Sequence, residues 1–408
     1  MGMIADSQLK AARGPLLLDW RPEDPAFWAR SGKRIAARNL WISIPALLLA
    51  FAVWMIWSTV TVRLNAAGFA FSNDQLFLLA ALPSISGATL RVFYSFMVPI
   101  FGGRRWTALS TASLLIPCLW LGFAVQDAQT PYWVFACIAL LCGFGGGNFA
   151  SSMANISFFY PKSQQGTALG LNAGLGNLGV SVVQFLTPLV VGVGVFGVFA
   201  GAPQVVLDQD GGLAHVWMQN AAFVWVPWIV QAAVLAWLFM NDIADAKASF
   251  SAQAAIFRRQ HTWLMCFLYL GTFGSFIGFA AGFPLLIKSQ FPQVNPLAFA
   301  WLGPLVGALT RPVGGWMADS LGGARVTQWN FAVMALAVLG VLCFLPKGGG
   351  GLALPFGPAG GSFAGFFLMF LVLFLTTGIG NGSTFRMIPV IFMRSEERRV
   401  GKECRSRW

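Results

Sequence analysis

The chain has 408 residues, of which 57% are hydrophobic and only 10% charged, and its formal net charge is +12. A soluble globular domain carries about a quarter charged residues, so that class is excluded. Apolar runs long enough to cross a bilayer recur along the chain and imply a polytopic helical membrane protein; 46 Gly and 17 Trp suit close helix packing and anchoring at the lipid–water interface.

Residues 1–38 hold seven Lys/Arg and four Asp/Glu without an apolar core, which marks a cytoplasmic N-terminal segment and not a signal peptide. Ten spans are predicted, at about 39–63, 74–101, 107–125, 131–160, 164–197, 217–240, 261–287, 296–318, 325–345 and 361–392. The first six make an N-terminal bundle over 39–240. The polar and basic stretch "NDIADAKASFSAQAAIFRRQ" at 241–260 reads as a central cytoplasmic loop, and an incomplete bundle of four helices follows over 261–393. The Gly/Pro-rich loop at 347–361 reads as flexible and external.

Basic residues sit in short loops between the apolar runs, so the charge does not imply nucleic acid. Counting alternate loops, one side holds 14 Lys/Arg: the seven of residues 1–38, then Arg104, Arg105, Lys162, Lys247, Arg258, Arg259 and Arg325. The other side holds three, Arg63, Lys288 and Lys347. Positive charge marks the cytoplasmic side, which places the N-terminus in the cytoplasm. Cys118, Cys137, Cys142, Cys266 and Cys343 fall in apolar runs without metal-binding spacing and read as buried free thiols.

An internal repeat supports two bundles. "GATLR" at 87–91 matches "GALTR" at 307–311, and at the same offset "FGGRRW" from Phe101 faces "LGGARV" from Leu321. "GFGGGNF" at 143–149 resembles "GIGNGSTF" at 378–385. Parallel repeats of this kind characterise the two halves of major facilitator transporters.

The repeat isolates Arg91 and Arg311, each mid-span and four residues after a glycine, Gly87 or Gly307. An arginine at mid-membrane costs about 2.5–3.5 kcal/mol on insertion scales. Every carboxylate before the tail lies in a loop or at a span end (Asp6, Asp19, Glu23, Asp24, Asp74, Asp127, Asp208, Asp210, Asp242, Asp245 and Asp319). The counter-ion is therefore expected from outside the protein, as an anion. A planar five-donor fork suits an oxyanion; the alternative is that each arginine snorkels or caps backbone carbonyls. Arg386, near the cytoplasmic end of its span, is expected to snorkel. His215 and His261 fall in a loop and at a span start, and no span carries an acidic relay, which favours anion exchange over proton symport.

Asn148, Asn172, Asn177, Gln184 and Asn381 are polar groups at membrane depth, able to donate to an oxyanion or to bond between helices. "GLGNLG" at 174–179 satisfies a dinucleotide fingerprint but follows a helical run, so it reads as a packing surface. "GWMADSLGGAR" at 315–325 places Asp319 at a helix end beside Arg325 and reads as a structural latch. No nucleophile–base pair, metal cluster or cofactor motif emerges, so neither an enzyme nor a cofactor is expected.

Four segments, "LPSISGATLRVFYSFMVPIFGGRRWT", "GGGNFASSMANISFFYPKSQQGTALGLNAGLGNLGVSVVQ", "LTRPVGGWMADSLGG" and "GNGSTFRMIPVIF", resemble the nitrate/nitrite porter family, NarK-type, of the major facilitator superfamily. The resemblance covers about residues 36–393. It implies a multi-pass protein of the bacterial inner membrane, with nitrate bound between Arg91 and Arg311 and with Tyr269 and Asn177 nearby. Phe51 and Phe149 match aromatic positions lining that family's site. It implies nitrate/nitrite antiport by alternating access, with nitrate, nitrite and the lipid bilayer as partners, and a monomer. Proton-coupled nitrate uptake, transport of another small oxyanion and a non-transporting nitrate sensor remain open.

The family expects twelve spans where about ten are read here, a C-terminal truncation that leaves the second cavity wall incomplete. The last fifteen residues, "RSEERRVGKECRSRW" at 394–408, look like the translation of a sequencing adapter and not like transporter sequence.

Overall fold

The computed structural model describes residues 15–197, 201–207, 212–246, 250–346, 358 and 360–405. Most of the loop expected to be flexible at 347–361 lies outside these residues. Among them, nine helices are long and apolar enough to cross a membrane, and the only sheets are two pairs of short strands. Large apolar side chains such as Trp133, Phe267, Trp316 and Trp329 are more than 60% exposed, which suits a surface that meets lipid.

Contacts divide the chain into two compact units. The first comprises residues 1–253, 280–289 and 293–301, and the second 254–279, 290–292 and 302–408. In the first, α1 (Lys33–Met55) runs into α2 (Trp57–Leu64), followed by α3 (Asn73–Phe101), α4 (Gly103–Ala112) and α5 (Leu115–Ala124). Then come α6 (Tyr132–Phe159), α7 (Lys162–Val191) and α8 (Val226–Phe239). The first membrane helix starts well before the expected residue 39. Asp24 accepts from the backbone of Ala26 at 2.9 Å and Phe27 at 3.3 Å, with Pro25 at the first helical position. That pairing starts a helix efficiently, and the continuous helical run extends Pro25–Ala67.

Segment 15–24 is tied to the end of this unit. β1 (Leu16–Leu17) pairs in parallel with β4 (Asp242–Ile243), Leu17 and Trp20 join a cluster with Ile35, Ala36 and Phe159, and Trp20 Nε1 donates to Phe158 O at 3.0 Å. Between these strands in sequence, β2 (Gln204–Leu207) and β3 (Leu213–Val216) form an antiparallel pair. Asp242 caps α4 from outside: its Oδ1 accepts from Arg104 N at 2.8 Å and its Oδ2 lies 3.4 Å from Arg104 Nε. Both side chains are nearly buried, so Asp242→Ala removes the acceptor at the α4 N-terminus and the ion pair of Arg104, which keeps its bond to Trp237 O and the Trp237 ring. We expect a loss of about 2 kcal/mol, read as a lowered midpoint of thermal unfolding in detergent.

In the second unit, α9 (Gln260–Tyr269) passes through a π-helical turn, Leu270–Gly274, into α10 (Ser275–Gln290), whose outer part groups with the first unit. The expected span at 296–318 is not one helix. It consists of a turn at Pro296–Phe299, then α11 (Leu302–Leu309), then α12 (Arg311–Leu321). Pro304 and Pro312 have no N–H for the carbonyls of Ala300 and Ala308, which breaks the helix where the pieces meet. α13 (Gly323–Phe344) and α14 (Phe363–Arg405) complete the unit, and α14 continues past the expected end of the tenth span at 392.

Within both units helices meet backbone to backbone at glycine. In the first, a Cβ at Gly145 would lie 2.0 Å from Ala50 O, and one at Gly179 2.0 Å from Leu48 O. In the second, a Cβ at Gly314 would lie 2.1 Å from Ile379 O. Lipid supplies no hydrophobic drive between helices, so such close van der Waals contact carries their association. "GLGNLG" is thus partly a packing surface: Gly176 and Gly179 face α1, while Gly174 faces open space. The thiols are not uniformly buried, since Cys137 and Cys266 are exposed on outer faces and Cys343 is intermediate. Lipid accepts apolar side chains as readily as the protein interior does, so a thiol in an apolar run can face outward.

Candidate anion site

α3 begins at a capping box, Ser72 with Gln75, and carries Arg91 at mid-helix. Arg91 Nε donates to Gly146 O on α6 at 3.0 Å. Its Cζ stands 4.9 Å from the ring centroid of Phe149 and 5.1 Å from that of Trp54. Phe51 packs on both rings, 5.9 Å from Phe149 and 5.7 Å from Trp54. Arg91, Phe51 and Phe149, selected from sequence, therefore do form one group.

Arg311 opens α12 at the proline break and is only 8% exposed. Its Cζ lies 5.2 Å from the ring of Phe273 and 5.5 Å from that of Phe276. The orientation of the Asn381 amide that satisfies both partners turns its oxygen to the guanidinium, 3.1 Å from Nε and also within reach of Nη2. Tyr269 stacks on Phe273 at 5.1 Å and also touches Phe385.

The two halves thus solve one problem in parallel. Each guanidinium has two aromatic faces and a neutral oxygen on Nε. Aligning "GFGGGNF" with "GIGNGSTF" puts Gly146 opposite Asn381, so a backbone carbonyl does in one half what a side-chain amide does in the other. A ring face is worth about 0.5–2 kcal/mol to a desolvated cation, so two offset a good part of the insertion cost without cancelling the charge. Trp54, Phe273 and Phe276 were not singled out from sequence, and of the two roles open to Asn381, donor to an oxyanion or bond between helices, its oxygen takes the second as an acceptor for Arg311.

Three of the described carboxylates pair with other arginines. Asp242 serves Arg104 and Arg105, and Asp19 pairs with Arg21. Arg21 beside Asp19 holds that exposed carboxyl below the usual carboxylate range, chiefly through their hydrogen bond. Asp319 pairs with Arg386, so Arg386 does not simply snorkel, and Asp319 makes a side-chain ion pair to α14 where a charge-dipole latch was expected. The pairing crosses between helices that the local reading of "GWMADSLGGAR" could not connect.

Residues 42–401 match the Major Facilitator Superfamily. The nitrate/nitrite transporter NarU of Salmonella typhimurium is 58% identical over 377 residues, covering 92% of this chain and 79% of that protein. The chain belongs to the nitrate/nitrite porter family. NarU of Escherichia coli is likewise 58% identical, over 379 residues and the same shares. The probable nitrate/nitrite antiporter NarK2 of Thermus thermophilus is 44% identical over 94% of this chain and 84% of its own length. Among solved structures, the partially occluded, inward-open xylose transporter XylE of E. coli aligns with a TM-score of 0.60 at 13% identity, covering 87% of each chain. That likeness establishes the fold alone, and this porter is a multi-pass membrane protein.

The remaining polar residues at depth in this porter mostly join helices. Asn148 Nδ2 donates to Ser110 O at 3.2 Å, and Asn172 Nδ2 to Ser152 Oγ at 2.8 Å. Gln184 Nε2 donates to Ala280 O at 2.8 Å and to Ser58 Oγ at 3.0 Å. Ala280 is the residue whose carbonyl Pro284 cannot satisfy, so the glutamine repairs a proline gap. Asn177 is not joined to Arg91 by these bonds: its Nδ2 donates to Ala173 O in its own helix at 2.6 Å.

Proposed function

We propose that the protein exchanges nitrate for nitrite across the bacterial inner membrane by alternating access, with the N-terminus in the cytoplasm and the protein working as a monomer. The observation that carries the substrate class is its 58% identity to two nitrate/nitrite transporters over 92% of the chain. The site gives that class a mechanism. Arg91 and Arg311 both engage the anion, with Phe51, Phe149 and Tyr269 shaping the surroundings and Asn177 helping from α7. The organisation is two bundles, 39–240 and 261–393, separated by the loop 241–260.

Each guanidinium spends Nε on a neutral oxygen and its faces on rings. Guanidinium groups supply the charge-assisted donors that planar oxyanions accept. Trading one monovalent anion for another leaves the charge of the loaded carrier the same in both directions, so no proton relay is required. The 14-to-3 division of basic residues between loops supports the orientation.

The test is counterflow in liposomes. Isotopically labelled nitrate should enter when nitrite or nitrate is inside, and entry should be independent of a pH gradient. Uptake that follows an imposed proton gradient into empty liposomes indicates proton coupling, and binding without flux indicates a sensor. Preference for sulfate or phosphate over nitrate assigns another oxyanion.

A further inference from the structure

Trp54 is 2% exposed and stands where α1, α3 and α6 meet. Both α3 and α6 present glycine to its indole. A Cβ at Gly87 would lie 2.6 Å from Nε1, and one at Gly146 would lie 2.6 Å from Cε2. Any other residue at either position drives the ring from its seat. The indole is also tied by hydrogen bonding, because Nε1 donates to Pro83 O at 2.6 Å. That carbonyl lies on the helix that carries Arg91, about two turns upstream. From this seat the ring reaches the guanidinium, 5.1 Å from Cζ, beside Phe149 at 4.9 Å.

The arrangement recurs. In the second unit Gly307, four residues before Arg311, receives the ring of Phe276, with a Cβ there 2.8 Å from Cε2. The same ring lies 5.5 Å from Arg311 Cζ. In both units an aromatic side chain from a preceding helix fills the glycine notch one turn before the arginine and meets its cation. A ring needed only to fill space would not have to reach the guanidinium twice. In the first unit the ring gains a further anchor, the indole N–H.

We infer that Trp54 is a positioning residue for the anion site, holding the Arg91 guanidinium in one orientation so that it meets an oxyanion already ordered. Arginine has many rotamers, and fixing them before the anion arrives removes that cost from binding. The inference rests on the nitrate/nitrite reading above and names a residue that acts on the anion only through Arg91. It also explains why glycine is required at 87 and 146.

The experiment titrates nitrate into the purified full chain in detergent, with nitrate-free thermal stability recorded for each variant. Trp54→Phe keeps a ring and loses the donor to Pro83 O; Trp54→Leu loses the ring face. We expect Kd to rise about threefold in the first and about tenfold or more in the second. Both substitutions are then repeated with Arg91→Lys, titrated at correspondingly higher nitrate, and with Arg311→Lys. The Trp54 penalty should vanish with Arg91→Lys and persist in full with Arg311→Lys. An equal penalty in both backgrounds, or none in the otherwise unaltered protein, overturns the inference, whatever happens to stability. Failure of the unaltered protein to bind nitrate at all overturns the transport reading instead.

Discussion

Arg91→Lys and Arg311→Lys should each weaken nitrate binding by about 100-fold, measured by calorimetric titration in detergent. Lysine keeps the positive charge, so the long-range attraction survives and the loss isolates the geometry. A guanidinium has five donors, so it can give Nε to Gly146 O or to the Asn381 oxygen and still donate to an anion. An ammonium has one nitrogen for both tasks and no flat surface to set against the rings of Phe149 and Trp54, or of Phe273 and Phe276. Hydrogen bonds to charged groups are worth about 1.5–3 kcal/mol each, and losing the equivalent of one or two gives the stated factor at 1.4 kcal/mol per tenfold. Near-normal affinity in both variants would show that charge alone recruits the anion.

What could be read from the sequence, and what could not, follows from the kind of signal each residue leaves. Arg91 and Arg311 stood out because a charge in an apolar run is rare, and a second at the repeat offset rarer still. Their aromatic neighbours did not, since a chain with 38 Phe and 17 Trp offers a ring within reach of almost any point. Trp54 and Phe276 become distinctive only when their rings are seen to occupy the notches at Gly87 and Gly307, a fact about two helices at once. Asn381 was visible as a polar group at depth, yet its direction was not, because an amide offers donor and acceptor alike. Asp24–Pro25 and the prolines at 304 and 312 were legible signals of a helix start and a helix break. Apolar runs measured by hydropathy overrode them. The pairing of Asp319 with Arg386 joins positions 67 apart in sequence, and no local pattern contains it.

The glycines at the second site lead to the other large effect. Gly382→Ala should both destabilise the protein and weaken nitrate binding about tenfold or more. A Cβ at 382 would lie 2.1 Å from the carbonyl oxygen of Arg311 itself and 2.8 Å from Gly315 N. One turn earlier, a Cβ at Gly378 would lie 2.3 Å from Gly307 O. α14 thus crosses α11 and α12 in register, glycine against backbone, and no rotamer change can relieve the added methyl. The helices must separate by roughly an ångström, in the range where overpacking costs about 1–3 kcal/mol. Because the displaced carbonyl belongs to Arg311, and Asn381 beside Gly382 moves with it, the guanidinium and its acceptor shift together relative to Phe273 and Phe276. Gly315→Ala is the internal control. It adds the same methyl group one turn beyond Arg311, but nothing lies within 4 Å of that Cβ, so stability and affinity should both stay near those of the unaltered protein. Thermal unfolding and nitrate titration on the two variants separate the cases. If Gly382→Ala behaves like Gly315→Ala in both measurements, backbone contact at this crossing does not hold Arg311 in place.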